Sequence, residues 1–224
     1  MIRILDIVFS LFALLILSPL FFVVIVILKF TGEGEIFYRQ IRIGKRRKNF
    51  GLLKFATMLK NSESMGTGTV TIKGDPRILP FGKFLRDTKI NELPQLINIV
   101  VGDISIIGYR PLTEQTFSYY KKIVQDKLIN RRPGLSGIGS IIFRDEENIL
   151  DGDDPKEIYE TLIAPYKGEL EVWYSGNASV LLYLQMIIFT VIVIFTKDAS
   201  FLFKIYKNLP KPNEKLKDLL KLKI

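Results

Sequence analysis

The stretch FGKFLRDTKINELPQLINIVVGDISIIGYRP, Phe81 to Pro111, decides the reading of the whole chain. Its middle predicts a helix beginning at Asn91. Leu93, Leu96, Ile97 and Val100 recur at i, i+3, i+4 and i+7, which makes one apolar face. Asn91 is a good N-cap type, and Pro94 is tolerated in a first turn whose N–H groups have no helical partner. Such a start carries free N–H groups and partial positive charge, which suits a phosphate. Arg86 and Lys89 precede it, and Glu92 sits in its first turn. Gly102 and Asp103 follow, then an apolar run from Ile104 to Ile107, then Gly108, Arg110 and Pro111. Taken singly, Asn91 is a cap, Glu92 a dipole partner and each arginine a solvated charge. Taken together they describe a site for a diphosphate.

The rest of the composition narrows the chemistry. The chain has 224 residues, 48% of them apolar, and a net charge of +9 from 32 basic and 23 acidic residues. That excess points to an anionic partner: a membrane surface, a phosphorylated substrate or a nucleic acid. With no cysteine and no histidine, disulfides, thiol catalysis, a serine–histidine triad and histidine-held metals are excluded. Acid–base or nucleophilic work must fall to carboxylates, lysine, tyrosine or hydroxyls. A bound metal must be a hard one held by oxygen, such as magnesium.

Upstream, Ile7 to Leu28 are 22 consecutive uncharged residues, long enough for a hydrocarbon core of about 30 Å. No small-residue cleavage site follows, so this is not read as a signal peptide. Ser18 and Pro19 interrupt the run, and an internal proline removes a helical hydrogen bond. A kinked spanning helix and a re-entrant hairpin both fit. Arg39, Arg42, Lys45, Arg46, Arg47 and Lys48 follow against Glu33 and Glu35, which places the body on the cytoplasmic side.

Ile36–Ile43 and Phe50–Phe55, joined through Gly44 and KRRKN, predict a β-hairpin. Its basic turn suits anionic lipid head groups. No nucleic-acid fold signature accompanies it, so nucleic acid is not the expected partner. Residues 59–80, with Gly66, Gly68 and Gly74, read as a loop ending in Asp75-Pro76-Arg77. Arg77 is either a phosphate ligand or part of a turn stabilised by Asp75.

Downstream, Leu112 to Asn130 predicts one helix. In RRPGLSGIGS, Arg131 and Arg132 precede glycines at 134, 137 and 139, which would let backbone approach a nucleotide or phosphate. The acidic DEENILDGDDP from Asp145 reads as a solvated loop. Val180 to Thr196 forms an apolar helix of about 26 Å, short of a bilayer core. Crossing there would send out a tail with eight lysines against three acids, so it is expected to stay at the interface or pack on the first helix. Asn213 to Ile224 suits a short amphipathic helix on the membrane. There is no internal repeat.

The core string closely resembles the bacterial sugar transferases, the monotopic phosphoglycosyl transferases. The residues that carry the likeness are Asp75-Pro76-Arg77-Ile78; Gly82, Phe84, Leu85, Arg86, Thr88; Glu92-Leu93-Pro94-Gln95-Leu96, Asn98; and Gly102-Asp103, Ser105, Gly108, Arg110-Pro111. Arg39, Gln40, Arg42, Gly44, Lys54, Phe55, Thr57 and Met58 extend it through the hairpin. The resemblance implies an α/β, membrane-associated fold: a re-entrant N-terminal helix bent at Ser18-Pro19 (1–30), a cytoplasmic catalytic-type domain with a β-hairpin and helical core (31–179), and C-terminal interfacial and amphipathic helices (180–224). It implies transfer of a sugar-1-phosphate from a UDP-sugar to a polyprenyl phosphate at the cytoplasmic face of the bacterial inner membrane, with Mg2+. That would be the first membrane step of a surface glycan pathway, and a homo-oligomer is left open. Glu92 is assigned to magnesium or to the surroundings of the nucleophile. Arg86, Arg110 and Arg131 are assigned to phosphates, with Lys54, Arg77 and Arg132 as further contacts.

Three positions depart from the family pattern. Ala56 replaces an arginine and Tyr109 a proline. The third, Asn91, stands where the family has its aspartate nucleophile. An amide is a far poorer nucleophile than a carboxylate. Four accounts stay open: a silent homologue that binds nucleotide-sugar, lipid or a partner enzyme; an engineered replacement; Glu92 acting instead; or direct attack by the lipid phosphate.

Overall fold

The computed structural model describes residues 1–65, 75–149 and 155–224. Gly66, Gly68 and Gly74, and the acidic residues 151–154, lie outside the described residues. The chain divides into two compact units, one of Ile4–Ile41 and Gly51–Gly102, the other of Met1–Arg3, Arg42–Phe50 and Asp103–Ile224.

The chain opens with α1, Ile2–Phe30, which lies in the smaller unit from Ile4 onward and is helical through Pro19. A proline at 19 offers no N–H to the Leu15 carbonyl. The Ser18 hydroxyl donates to that carbonyl instead, at 2.8 Å. This local repair lets the helix continue where the sequence suggested an interruption. The expected hairpin follows as β1, Phe37–Ile43, and β2, Asn49–Phe55. Then come α2, Pro80–Asp87, with proline in its first turn, and α3, Gln95–Val101. Val24 and Leu28 of α1 pack with Phe55 and Leu85 into a closed apolar core, with Phe21 and Phe37 ringed about Phe55.

Asn98 ties α3 to the hairpin. Its amide donates to the Gly51 carbonyl and accepts from Leu53 N–H, both at 2.9 Å, so one buried side chain imitates a neighbouring strand. This changes the predicted face of the helix. Asn98 and Ile99 are buried while Ile97 is exposed. The expectation of an N-cap at Asn91 is also corrected. Lys89 adopts a left-handed conformation and starts a single 3-10 turn, Ile90–Glu92, before α3 begins.

In the larger unit, β3 (Ser105–Ile107) pairs in parallel with β4 (Gly134–Ser136). The pairing is tight because of glycine: a Cβ at Gly134 would lie 2.1 Å from the Gly108 nitrogen. The single helix predicted after Leu112 is two, α4 (Glu114–Ser118) and α5 (Lys122–Leu128). Thr113 and Thr116 form a capping box that fixes the start of the first. Tyr109, Leu112, Phe117, Tyr120, Val124 and Leu128 form the core with Ile43 and Ala164.

Short helices α6 (Ile138–Ile142), α7 (Glu146–Ile149) and α8 (Pro155–Ile158) lead through a π-turn, Tyr159–Ile163, into α9, Ala164–Asn177. The turn widens just before Pro165, where a proline cannot supply its helical N–H. Ser179 caps α10, Val180–Thr196, which matches the predicted span. Then come α11, Phe201–Ile205, and α12, Glu214–Leu219. In the tail, Leu216 and Leu222 are buried in protein and Lys223 N–H bonds the Ser200 hydroxyl, while Leu219 and Ile224 stay exposed.

Candidate active site

The residues singled out in the sequence fall into two groups. Lys54, Arg77, Arg86, Asn91 and Glu92 belong to the smaller unit; Arg110, Arg131 and Arg132 belong to the larger.

In the smaller unit, Asn91 is 6% exposed and its Oδ1 has no hydrogen-bond partner among the described residues. Glu92, next in the same turn, is half-buried. Arg86 is half-buried on the last turn of α2, and Lys54 is half-buried on β2. Arg77 is committed elsewhere. It pairs with Asp75 through Nε (2.8 Å) and Nη2 (2.6 Å), and Nη1 donates to the carbonyls of Ser62 and Met65. Its planar fork thus holds the loop together, the turn role foreseen beside the phosphate one.

In the larger unit, a cavity of about 150 Å³ is lined by Arg42, Arg110, Ser140, Glu146, Tyr159, Lys167 and Glu171. Gly139 also faces it, whereas Gly134 and Gly137 are spent on the approach to Gly108. Arg131 and Arg132 are exposed and are not among the lining residues, and Arg131 donates to the Ser175 carbonyl.

Three charged cavity residues, Glu146, Lys167 and Glu171, were not foreseen, nor was the neighbouring Tyr159. Lys167 bonds Glu146 at 2.6 Å and lies over the Phe143 ring. Burial pushes its ammonium down, opposed by the Glu146 charge. Glu171 is 3% exposed, and burial pushes its carboxyl up to about 7 against the pull of Gly139 N–H and Lys167. Burial likewise raises the Tyr159 hydroxyl. Glu146 stood in the acidic run read as a solvated loop; pairing with Lys167 draws it inward. Spacing could not reveal these three, because α7 and α9 meet only in three dimensions. The one signal was two oppositely charged residues, Lys167 and Glu171, four apart and so on one face of α9. Tyr109, at a position of departure, is a core residue whose hydroxyl has no partner among the described residues.

Comparison with known proteins agrees with the core string. Residues 1–197 match the family described as bacterial sugar transferase. The chain belongs to that family. The exopolysaccharide production protein ExoY of Sinorhizobium fredii (strain NBRC 101917 / NGR234) is 36% identical over 155 residues, 63% of this chain and 68% of its own. The UDP-glucose:undecaprenyl-phosphate glucose-1-phosphate transferase of Klebsiella pneumoniae is 29% identical over 204 residues, 89% of this chain and 41% of its own. The UDP-N-acetylgalactosamine-undecaprenyl-phosphate N-acetylgalactosaminephosphotransferase of Aeromonas hydrophila is 31% identical over 200 residues, 85% of this chain and 43% of its own. This sugar transferase thus spans less than half the length of the two relatives whose names state a reaction.

Proposed function

We propose that this sugar transferase moves a sugar-1-phosphate from a UDP-sugar to a polyprenyl phosphate at the cytoplasmic face of the membrane. The observation that carries the reading is the family match across residues 1–197. The relatives' named reactions support it. A lipid acceptor requires the protein to meet the bilayer, and α1 supplies the means. It is 29 residues long and strongly apolar, and only 11% of its most apolar window is buried. The interruption at Ser18-Pro19 supports a helix that enters and leaves the membrane on one side.

Phosphoryl transfer is mostly positioning and charge neutralisation. Arg86 is the candidate phosphate ligand of the smaller unit, and Arg110 that of the larger. Asn91 Oδ1 and the Glu92 carboxylate are two hard oxygen donors in one turn, and they suit magnesium, which takes few protein ligands and completes its shell from phosphates and water. Magnesium bound there would neutralise diphosphate charge.

Asn91 cannot form an aspartyl phosphate. The transfer then proceeds through Glu92 or directly. In the direct route a lipid phosphate oxygen bonds to the β-phosphorus, the bond from that phosphorus to the bridging oxygen breaks, and UMP leaves. The test is UMP release by reconstituted protein given UDP-sugar and polyprenyl phosphate. Release only with the lipid, and no adduct by intact mass, identifies direct displacement. An adduct abolished by Glu92→Gln identifies Glu92. Binding of UDP-sugar with no release means a silent homologue. Neither binding nor release refutes the proposal.

A further inference from the structure

The cavity of the larger unit holds polar atoms that the protein does not satisfy. Glu171 Oε2, Glu146 Oε1 and Ser140 Oγ are each buried with no hydrogen-bond partner among the described residues. Glu171 is 3% exposed, and its other oxygen, Oε1, accepts from Gly139 N–H at 3.2 Å. A buried acceptor left without a donor costs about 1–3 kcal/mol, so such atoms signal a partner that arrives from outside.

The wall indicates what kind of partner. Arg42, Arg110 and Lys167 oppose a cation there, and among the described residues no group of three acids or other ligating side chains could hold a metal. A free anion would face Glu146 and Glu171. A neutral polyhydroxyl ring suits both signs at once, because each hydroxyl donates to a carboxylate and accepts from an ammonium or guanidinium. Size agrees. The cavity of about 150 Å³ lies well below the ~300–1,000 Å³ of whole-ligand pockets. It has room for one ring and not for a nucleotide.

We infer that this cavity receives the glycosyl group of the nucleotide-sugar, with Glu171, Glu146 and Ser140 as the side chains that select it. The inference rests on the transfer reading above and adds to it the place where the sugar is read. A site that hydrogen-bonds hydroxyls discriminates strongly between sugars, because a misplaced hydroxyl leaves its buried partner unpaired.

The test is calorimetric binding to the full chain in nanodiscs without polyprenyl phosphate. The probes are UDP, UDP-glucose, UDP-galactose and their N-acetylamino counterparts. Glu171→Gln keeps the acceptor for Gly139 N–H and turns the other oxygen into a donor. It should weaken the preferred UDP-sugar about tenfold or more while UDP stays within about twofold. Ser140→Val removes a hydroxyl and fills space, and should act in the same direction; retained UDP binding shows that each variant is folded. Equal losses for UDP and UDP-sugar, or no loss in either variant, overturn the inference; no loss means that the cavity holds only water. Wild-type protein that binds neither UDP nor any UDP-sugar overturns the transfer reading itself.

Discussion

The carboxylate of Glu171 rests on the backbone of Gly139. The Gly139 N–H donates to Oε1 at 3.2 Å, and a Cβ at position 139 would lie 2.5 Å from the same oxygen. The glycine therefore does two things: it offers a donor and leaves the space that lets the carboxylate reach it. This contact joins α6 to α9 and fixes one wall of the cavity.

Gly139→Ala should break that contact. The methyl group and the oxygen cannot both keep their places, and Glu171 is too enclosed to swing into water. Overpacking of this kind costs about 1–3 kcal/mol. Denaturant unfolding of purified protein should show a loss of that size. An unchanged midpoint would mean that the carboxylate has another low-energy position.

Glu171 also makes stability depend on pH. Its carboxyl titrates near 7 in the folded chain against an ordinary value of 4.5, mainly because burial disfavours the charge. Between those values the folded chain holds a proton that the unfolded chain has lost, so stability falls as pH rises. The contribution is fully present below pH 4.5 and gone above about 7, and the shift corresponds to about 3 kcal/mol. The difference in unfolding free energy between wild type and Glu171→Gln should change by about that amount across the window. Parallel pH curves for the two proteins would refute the assignment.

How far the sequence could be read depended on whether the determinant was local. The hairpin, the apolar α1 and the span of α10 were legible because alternation, composition and length are written in consecutive residues. The family was legible because Phe81–Pro111 keeps so many fixed spacings. The Asn91 cap failed because Lys89 adopts a left-handed conformation, which the sequence did not announce. Glu146, Lys167 and Glu171 were missed because their partners are 21 to 32 residues apart. Position alone did not distinguish Arg77 as a brace from Arg77 as a phosphate ligand; its buried pairing with Asp75 did.

Asn98 should prove as costly to remove as a large core residue. Its amide serves the Gly51 carbonyl and the Leu53 N–H together. Asn98→Ala leaves both backbone groups without that partner, a loss of about 2–4 kcal/mol for the pair. Asn98→Asp keeps the acceptor for Leu53 N–H but sets a buried carboxylate oxygen against the Gly51 carbonyl, so its loss of stability should be at least as large. Hydrogen exchange at Leu53 should accelerate in the alanine variant and less so in the aspartate one. Protection that survives Asn98→Ala would show that Leu53 N–H is held by something else.

Ser18 and Pro19 should govern how α1 meets the bilayer. At about 43 Å the helix exceeds a ~30 Å hydrocarbon core, so length alone permits crossing. What opposes crossing is the proline, which weakens the ladder at its midpoint, and the serine, which makes that weakness tolerable by capping the Leu15 carbonyl. A carbonyl bare in lipid costs several kcal/mol. The native chain has no cysteine, so one introduced at the exposed Ile4 is a unique label. If α1 enters and leaves on the cytoplasmic side, as proposed above, Ile4→Cys should resist a membrane-impermeant maleimide in intact cells. Adding Pro19→Ala and Ser18→Ala restores a continuous ladder and should expose the label to the outside in a measurable fraction of molecules. Labelling of the single Ile4→Cys variant from outside would show that α1 already spans the membrane, and the one-sided entry proposed for it would be wrong.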